Sequence, residues 1–180
     1  MSDVTVRIEI SQRSKVKYKR TELGDLKVDK ILDITSLTYA FDYGYIIDTL
    51  SPSGNTLGAV VICDIELQPN CLIDCKVIGV LRMSDEKGSD DKIILVPSDL
   101  TDKRKSKFFN NLDDVKHKLE GIKNFFINYK KTSKVENFEN KEIAINIVKE
   151  WQRYFQNSHV SKEANLIIND VKIVQSSDFF

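Results

Sequence analysis

The sequence predicts an α+β fold, a small β-barrel covered by two α-helices. Three observations carry the prediction. The first hundred residues read as a run of short strands, the opening ones alternating, separated by turn-like stretches. From Asp113 onward the apolar spacing changes to that of helices. At 180 residues the chain is long enough for one well-buried core and short for two.

The opening strand is "VTVRIEI", in which Val4, Val6, Ile8 and Ile10 alternate with Thr5, Arg7 and Glu9. "KVKYKR" continues the alternation, and Leu26 to Ile34, Ala59 to Glu66, Leu72 to Met83 and Lys92 to Val96 read as further strands. Between them lie "ELGD", "SPSGN", "QPN" and "DEKGSDD", which have turn composition. A run of strands with short connections closes most readily into a barrel or a strongly twisted sheet. The first helix is expected from Asp113, with that residue as its cap and Val115, Leu119, Ile122, Phe125, Phe126 and Tyr129 on its inner face. "SKVENF" supplies one more strand. A second helix is expected from about Asn140 to Gln156, turned inward through Ile143, Ile147, Trp151 and Phe155 beside Ala144 and Val148. The aromatic stripes read as core. Residues 1–157 then form one domain, and residues 158–180 an extension with a last possible strand.

Lys and Arg together number 27, as do Asp and Glu, so no global field favours nucleic acid or an anionic membrane. No cationic, apolar leader opens the sequence and no apolar run approaches the roughly 18 residues of a membrane span, which makes an intracellular, cytoplasmic protein the expectation. Cys63, Cys71 and Cys75 are an odd number in apolar context and read as reduced, buried thiols. Zinc would need about four ligands, and His117 and His159 lie far from the cysteines in sequence. "DKRKSKFF", from Asp102 to Phe109, is the one basic run that could favour nucleic acid, and a solvated loop explains it as well.

Polar groups stand on or beside the strands where a plain core would not place them. Glu9, Lys15, Lys17 and Lys19 share one parity, Tyr39 and Tyr43 follow, and "MSDEKGSDDK" offers Asp85, Glu86, Asp90, Asp91 and Lys92. The first helix ends on Tyr129 and Lys130. A loop this rich in carboxylates could bind a hard divalent cation through oxygen, or be a solvated acidic turn.

These stretches, in this order, resemble the soluble inorganic pyrophosphatases of family I. "IEI", "SKVKYK", "LKVDKIL", "YAFDYGYIIDTL", "CKVIGVLRMSDEKGSDDKIILVP", "IKNFFINYKK" and "KVENFEN" carry the resemblance across nearly all of residues 4–156. It implies a five-stranded barrel related to the oligonucleotide-binding fold, a tendency to form homo-oligomers, and magnesium-dependent hydrolysis of pyrophosphate to two phosphates. In such chemistry the metals cancel phosphate charge and bring a bridging water's pKa from about 15.7 to about 7. By resemblance, Lys17, Lys30, Tyr39, Tyr43, Lys92, Tyr129 and Lys130 hold phosphate, and Glu9, Asp85, Glu86 and Asp90 are metal ligands. Lys30 replaces the family's arginine and so loses its bidentate fork. Lys19 stands in place of a glutamate, and Ala40 and Asp42 in place of a proline and an asparagine.

One stretch departs further. The family's turn reads aspartate, any residue, aspartate, proline, an apolar residue, aspartate. Here its three carboxylate positions are Ser53, Asn55 and Gly58. Asn55 keeps the shape without the charge, Ser53 is a poor magnesium ligand, and Gly58 has no side chain. The expectation is a family member without an intact catalytic set, impaired or inactive, acting as a binding or structural subunit. It would hold Mg2+ weakly or not at all and accept phosphate, pyrophosphate or a partner's acidic group in a pocket shifted toward positive charge. The competing expectation is a divergent active pyrophosphatase that draws metal through Glu9, Asp85, Glu86 and Asp90 alone.

Overall fold

The computed structural model describes residues 3–33, 37–98 and 109–177, with side chains through residue 160. In chain order the elements are β1 (Asp3–Ile10), β2 (Val16–Arg20), β3 (Leu26–Ile31), β4 (Asp42–Ile46), β5 (Gly58–Val61), β6 (Leu72–Asp85), β7 (Gly88–Ser89) and β8 (Lys92–Pro97). A 3-10 turn (Leu112–Val115), α1 (Lys116–Tyr129), β9 (Lys134–Asn140) and α2 (Lys141–Ser177) complete the chain.

The strands pair in the order β1-β4-β5-β8-β6, and β6 returns to β1, so five strands close a barrel. β6 makes closure possible because it is long and bent. Its lower half pairs with β1 from Arg7↔Leu72 to Asp3↔Lys76, while its upper half pairs with β7 and β9. Register shifts at Val77/Gly79 and Leu81/Met83 re-aim the strand between these partners, as β-bulges do. At the bend a Cβ on Gly79 would lie 2.6 Å from the Leu112 side chain, so the glycine is what lets the 3-10 turn seat against the barrel. β2 and β3 form a separate hairpin, with Lys17 opposite Lys30 and Lys19 opposite Lys27.

Strand parity divides the core in two. Ile10, Val60, Ile78, Leu81 and Ile94 pack with Tyr39, Phe41, Ile122, Phe125 and Phe126 beneath α1. Val6, Ile8, Ala59, Val61, Val80, Ile93 and Leu95 pack with Ala144 and Val148 of α2. β5 and β8 run parallel and bury both faces, which is why they read as unbroken apolar runs rather than alternating ones.

Several expectations need correction. Asn111, not Asp113, caps the first helical segment: its side chain accepts from the backbone N–H of Asp113 and Asp114, while Asp114 accepts from the Asn111 N–H. The strand expected to Glu66 stops at Val61 and the one expected to Ile34 stops at Ile31, Ile34 itself lying outside the described residues. Ile143 is exposed, because α2 turns Ala144 and Val148 to the barrel instead. The possible strand after Asn157 does not form; α2 runs on through Ser177, with no Gly or Pro between Lys141 and Ser177 to stop it. The basic run from Asp102 lies outside the described residues apart from Phe109. Among the described residues, no helix is long and apolar enough to cross a membrane. Cys75 is buried, Cys63 and Cys71 are partly so, and all three are free. Burial pushes the Cys71 and Cys75 thiols up, the state of inert cysteines.

Candidate active site

The hairpin and β1 bring one cluster together. The ammonium of Lys17 lies 3.3 Å from Glu9 and 4.0 Å from Asp29, and Lys19 lies 3.0 Å from Asp29. Burial pushes the Glu9 carboxyl up against the opposing pull of Lys17. Burial alone would lower Lys17, but Glu9, Tyr43 and Asp29 outweigh it and hold the ammonium above its usual value. Lys15 does not continue into a strand.

The loop after β6 carries the second cluster. Asp85 accepts from Lys130 Nζ at 2.8 Å and from the Lys87 N–H at 2.8 Å, and Glu86 lies 3.4 Å from the same lysine. These contacts, Lys130 foremost, hold Asp85 below the ordinary carboxylate range. Asp90 accepts from Lys92 at 2.5 Å. Lys92 is 5 % exposed, and although burial disfavours its charge, Tyr43 and Asp90 together keep it protonated. Asp91 turns inward, accepting from the Met83 N–H and Ser89 and pairing with Arg82, so it shapes the loop rather than lining it with charge.

Aromatic rings set the floor. Tyr39 stacks near Phe125, Phe41, Tyr43 and Tyr129, with the Phe125 ring 4.4 Å away. Burial pushes the Tyr39 hydroxyl far up, and Tyr129 beside it adds to the shift. Lys30 sits over the Tyr129 ring, 4.9 Å from its centre, and donates to its hydroxyl at 3.5 Å.

The turn from Ser51 to Gly58 is closed on itself. Ser51 and Ser53 share a hydrogen bond of 2.9 Å, the Asn55 amide donates to Ser53 at 3.1 Å, and the Asn55 N–H donates to Ser51 at 3.1 Å. Gly58 lies against the lysine side: a Cβ there would meet the Tyr43 hydroxyl at 2.8 Å and the Lys92 side chain at 3.0 Å.

The polar residues singled out in the sequence, Lys15 and Asp91 apart, therefore gather at one end of the barrel. Asp29 was missed as a member, although it stands inside "LKVDKIL". The expected surplus of positive charge is not there: Lys17, Lys19, Lys92 and Lys130 are each paired with one of Glu9, Asp29, Asp85, Glu86 and Asp90. Nor does the donor set fit a tightly held divalent cation. Among the described residues no three His, Cys, Asp or Glu stand together to ligate one. The hydroxyls of Ser51 and Ser53 and the Asn55 amide nitrogen bond one another, which leaves the turn a neutral Asn55 carbonyl oxygen and no carboxylate.

A closed five-stranded barrel with two flanking helices and a polar end of lysines, carboxylates and tyrosines defines the class. Comparison with known proteins then gives the family. The model of the family "Inorganic pyrophosphatase" matches residues 6–156. The chain is 38% identical over 156 residues to an inorganic pyrophosphatase of Helicobacter pylori, covering 83% of this chain and 89% of the relative. It is 41% identical over 132 residues to one from Sulfolobus acidocaldarius, covering 71% of this chain and 73% of that one. A solved inorganic pyrophosphatase from Coxiella burnetii superposes with a TM-score of 0.78 at 31% identity, over 86% of this chain and 95% of its own. The chain belongs to the inorganic pyrophosphatase family.

Proposed function

We propose that this family member binds pyrophosphate or phosphate through Lys17, Lys30, Lys92, Lys130 and the tyrosines, and that its hydrolysis of pyrophosphate is strongly impaired. The observation that carries the reading is the turn: the Ser53 hydroxyl is engaged by Ser51 and by the Asn55 amide nitrogen, Asn55 carries no charge, and Gly58 has no side chain. A water with its unperturbed pKa of about 15.7 is hardly ever hydroxide at neutral pH, and nothing in the turn would hold the cation that lowers it. The retained cations need no metal to meet an anion; they would exchange their present carboxylate partners for phosphate oxygens. Such a protein serves as a binding or structural subunit.

A second reading keeps magnesium on Glu9, Asp85, Glu86 and Asp90 and retains turnover; it is favoured by relatives that are named as inorganic pyrophosphatases. Phosphate release by purified protein with magnesium or manganese separates the two. The expected rate is at least ~10³-fold below that of an intact relative, about 4 kcal/mol of lost transition-state stabilisation. Turnover within tenfold of the relative supports the second reading instead.

A further inference from the structure

Beside the polar end lies a cavity of about 550 Å3 whose walls are the Ser51–Gly58 turn, the loop after β6 and α2 from Glu150 to Asn157. It borders the phosphate-side cluster through Gly58, which lies beside Lys92, and through Asp85 and Asp90, which pair with Lys130 and Lys92. Its size is that of a small-molecule site and well beyond what two phosphates need. Three further features give its chemistry. Trp151 and Tyr154, one turn of α2, present flat apolar surface on one wall; Trp151 is partly buried against the barrel core and Tyr154 is 39% exposed. The turn of Ser53, Asn55 and Gly58 forms another wall, where the neutral carbonyl oxygen of Asn55 accepts from a ligand hydroxyl. Asp85, Asp90, Asp91 and Glu150 stand around the rest, only partly balanced by Lys87 and Arg153, so a phosphate is disfavoured inside the cavity and favoured on the lysine side.

We infer that the site accepts an organic diphosphate, of the nucleoside diphosphate class, with its diphosphate on Lys17, Lys92 and Lys130 and its ring-bearing, hydroxylated part in this cavity against Trp151 and Tyr154. Ser53 and Gly58, smaller than an aspartate, leave the volume for it, and the carboxylates accept from ribose hydroxyls while repelling phosphate. The inference rests on the proposed retention of anion binding, and adds what the anion carries.

The chain has a single tryptophan, so its emission reports this cavity alone. In EDTA, adenosine diphosphate should quench that emission saturably and bind at least ~10-fold tighter than inorganic pyrophosphate by calorimetry, a difference of about 1.4 kcal/mol. Pyrophosphate should leave the emission unchanged. Tyr154→Ala, at an exposed position, should cut adenosine diphosphate affinity about fivefold or more and leave pyrophosphate affinity as it was; Trp151→Phe, which keeps the packing, should keep binding but lose the signal. The paired change Lys17→Ala/Lys130→Ala should weaken both ligands. Adenosine diphosphate binding no tighter than pyrophosphate, or indifferent to Tyr154→Ala, overturns the inference. Quenching by adenosine diphosphate without any pyrophosphate binding would instead overturn the parent reading and leave the cavity assigned.

Discussion

Asp42 shows how one residue ties the barrel together and what it costs. The carboxylate is fully buried, its Oδ1 accepts from the N–H groups of Gln12 and Leu67, and its Oδ2 has no partner. Burial pushes its pKa up, against the pull of those two N–H groups. The folded protein therefore holds this proton to higher pH than the unfolded chain does, so the contribution to stability is intact below the ordinary value of 3.8 and is lost as pH rises through the folded pKa. Asp42→Asn keeps the acceptor and removes the charge. It should raise stability at pH 7 by about 1 kcal/mol and flatten the decline above pH 4 in denaturant titrations. A variant less stable than the parent at pH 7 would show that the amide nitrogen standing in place of Oδ2 finds no acceptor and costs more than the charge it removes.

Among the elements, α1 earns its place through Phe125, whose ring touches Tyr39, Phe41, Phe126 and Tyr129. The helix holds the tyrosine floor of the candidate site because its i, i+1 and i+4 residues, Phe125, Phe126 and Tyr129, fall on the inward stripe. Phe125→Ala should cost about 3–4 kcal/mol and loosen Tyr39 and Tyr129 at once. Equilibrium unfolding measures the first effect, and a matching loss of pyrophosphate affinity the second. Leu119→Ala, on the partly buried flank of the same stripe, should cost less and spare the site.

At the scale of the whole molecule, the question is whether the barrel could hold metal again. Ser53→Asp and Asn55→Asp enter an exposed turn. Gly58→Asp does not enter freely: its Cβ meets the Tyr43 hydroxyl and Lys92, and the pair would have to move outward. The backbone at Gly58 is not in the left-handed region, so the obstacle is this packing and not conformational strain. The double change should gain little magnesium affinity by calorimetry, while the triple change should gain at least about tenfold and lose stability unless Lys92 is free to leave Asp90. If the triple variant folds and binds no more magnesium than the parent, the site has drifted at more than these three positions.

Much of this was legible in the sequence. Period-two alternation marked β1 and β2, apolar runs between turns marked β5, β6 and β8, and period 3.6 marked α1 and the first half of α2, whereas β4, Asp42–Ile46, carried only an aromatic-rich pattern and was not read as a strand. The ordered pieces of motif placed Glu9, Lys17, Tyr39, Asp85, Lys92 and Lys130 in one site. What sequence could not settle were quantities that depend on distance through space. The tail was read as a possible strand, yet α2 continues through it to Ser177, because a short apolar run does not by itself distinguish strand from helix. The pocket was expected to be positive from a list of lysines, yet Asp29 from the hairpin and Asp85 from β6 arrive beside them and cancel the charge. The cavity between the Ser51–Gly58 turn and α2 has no sequence signature at all, because its walls are separated by about a hundred residues and meet only when the barrel closes.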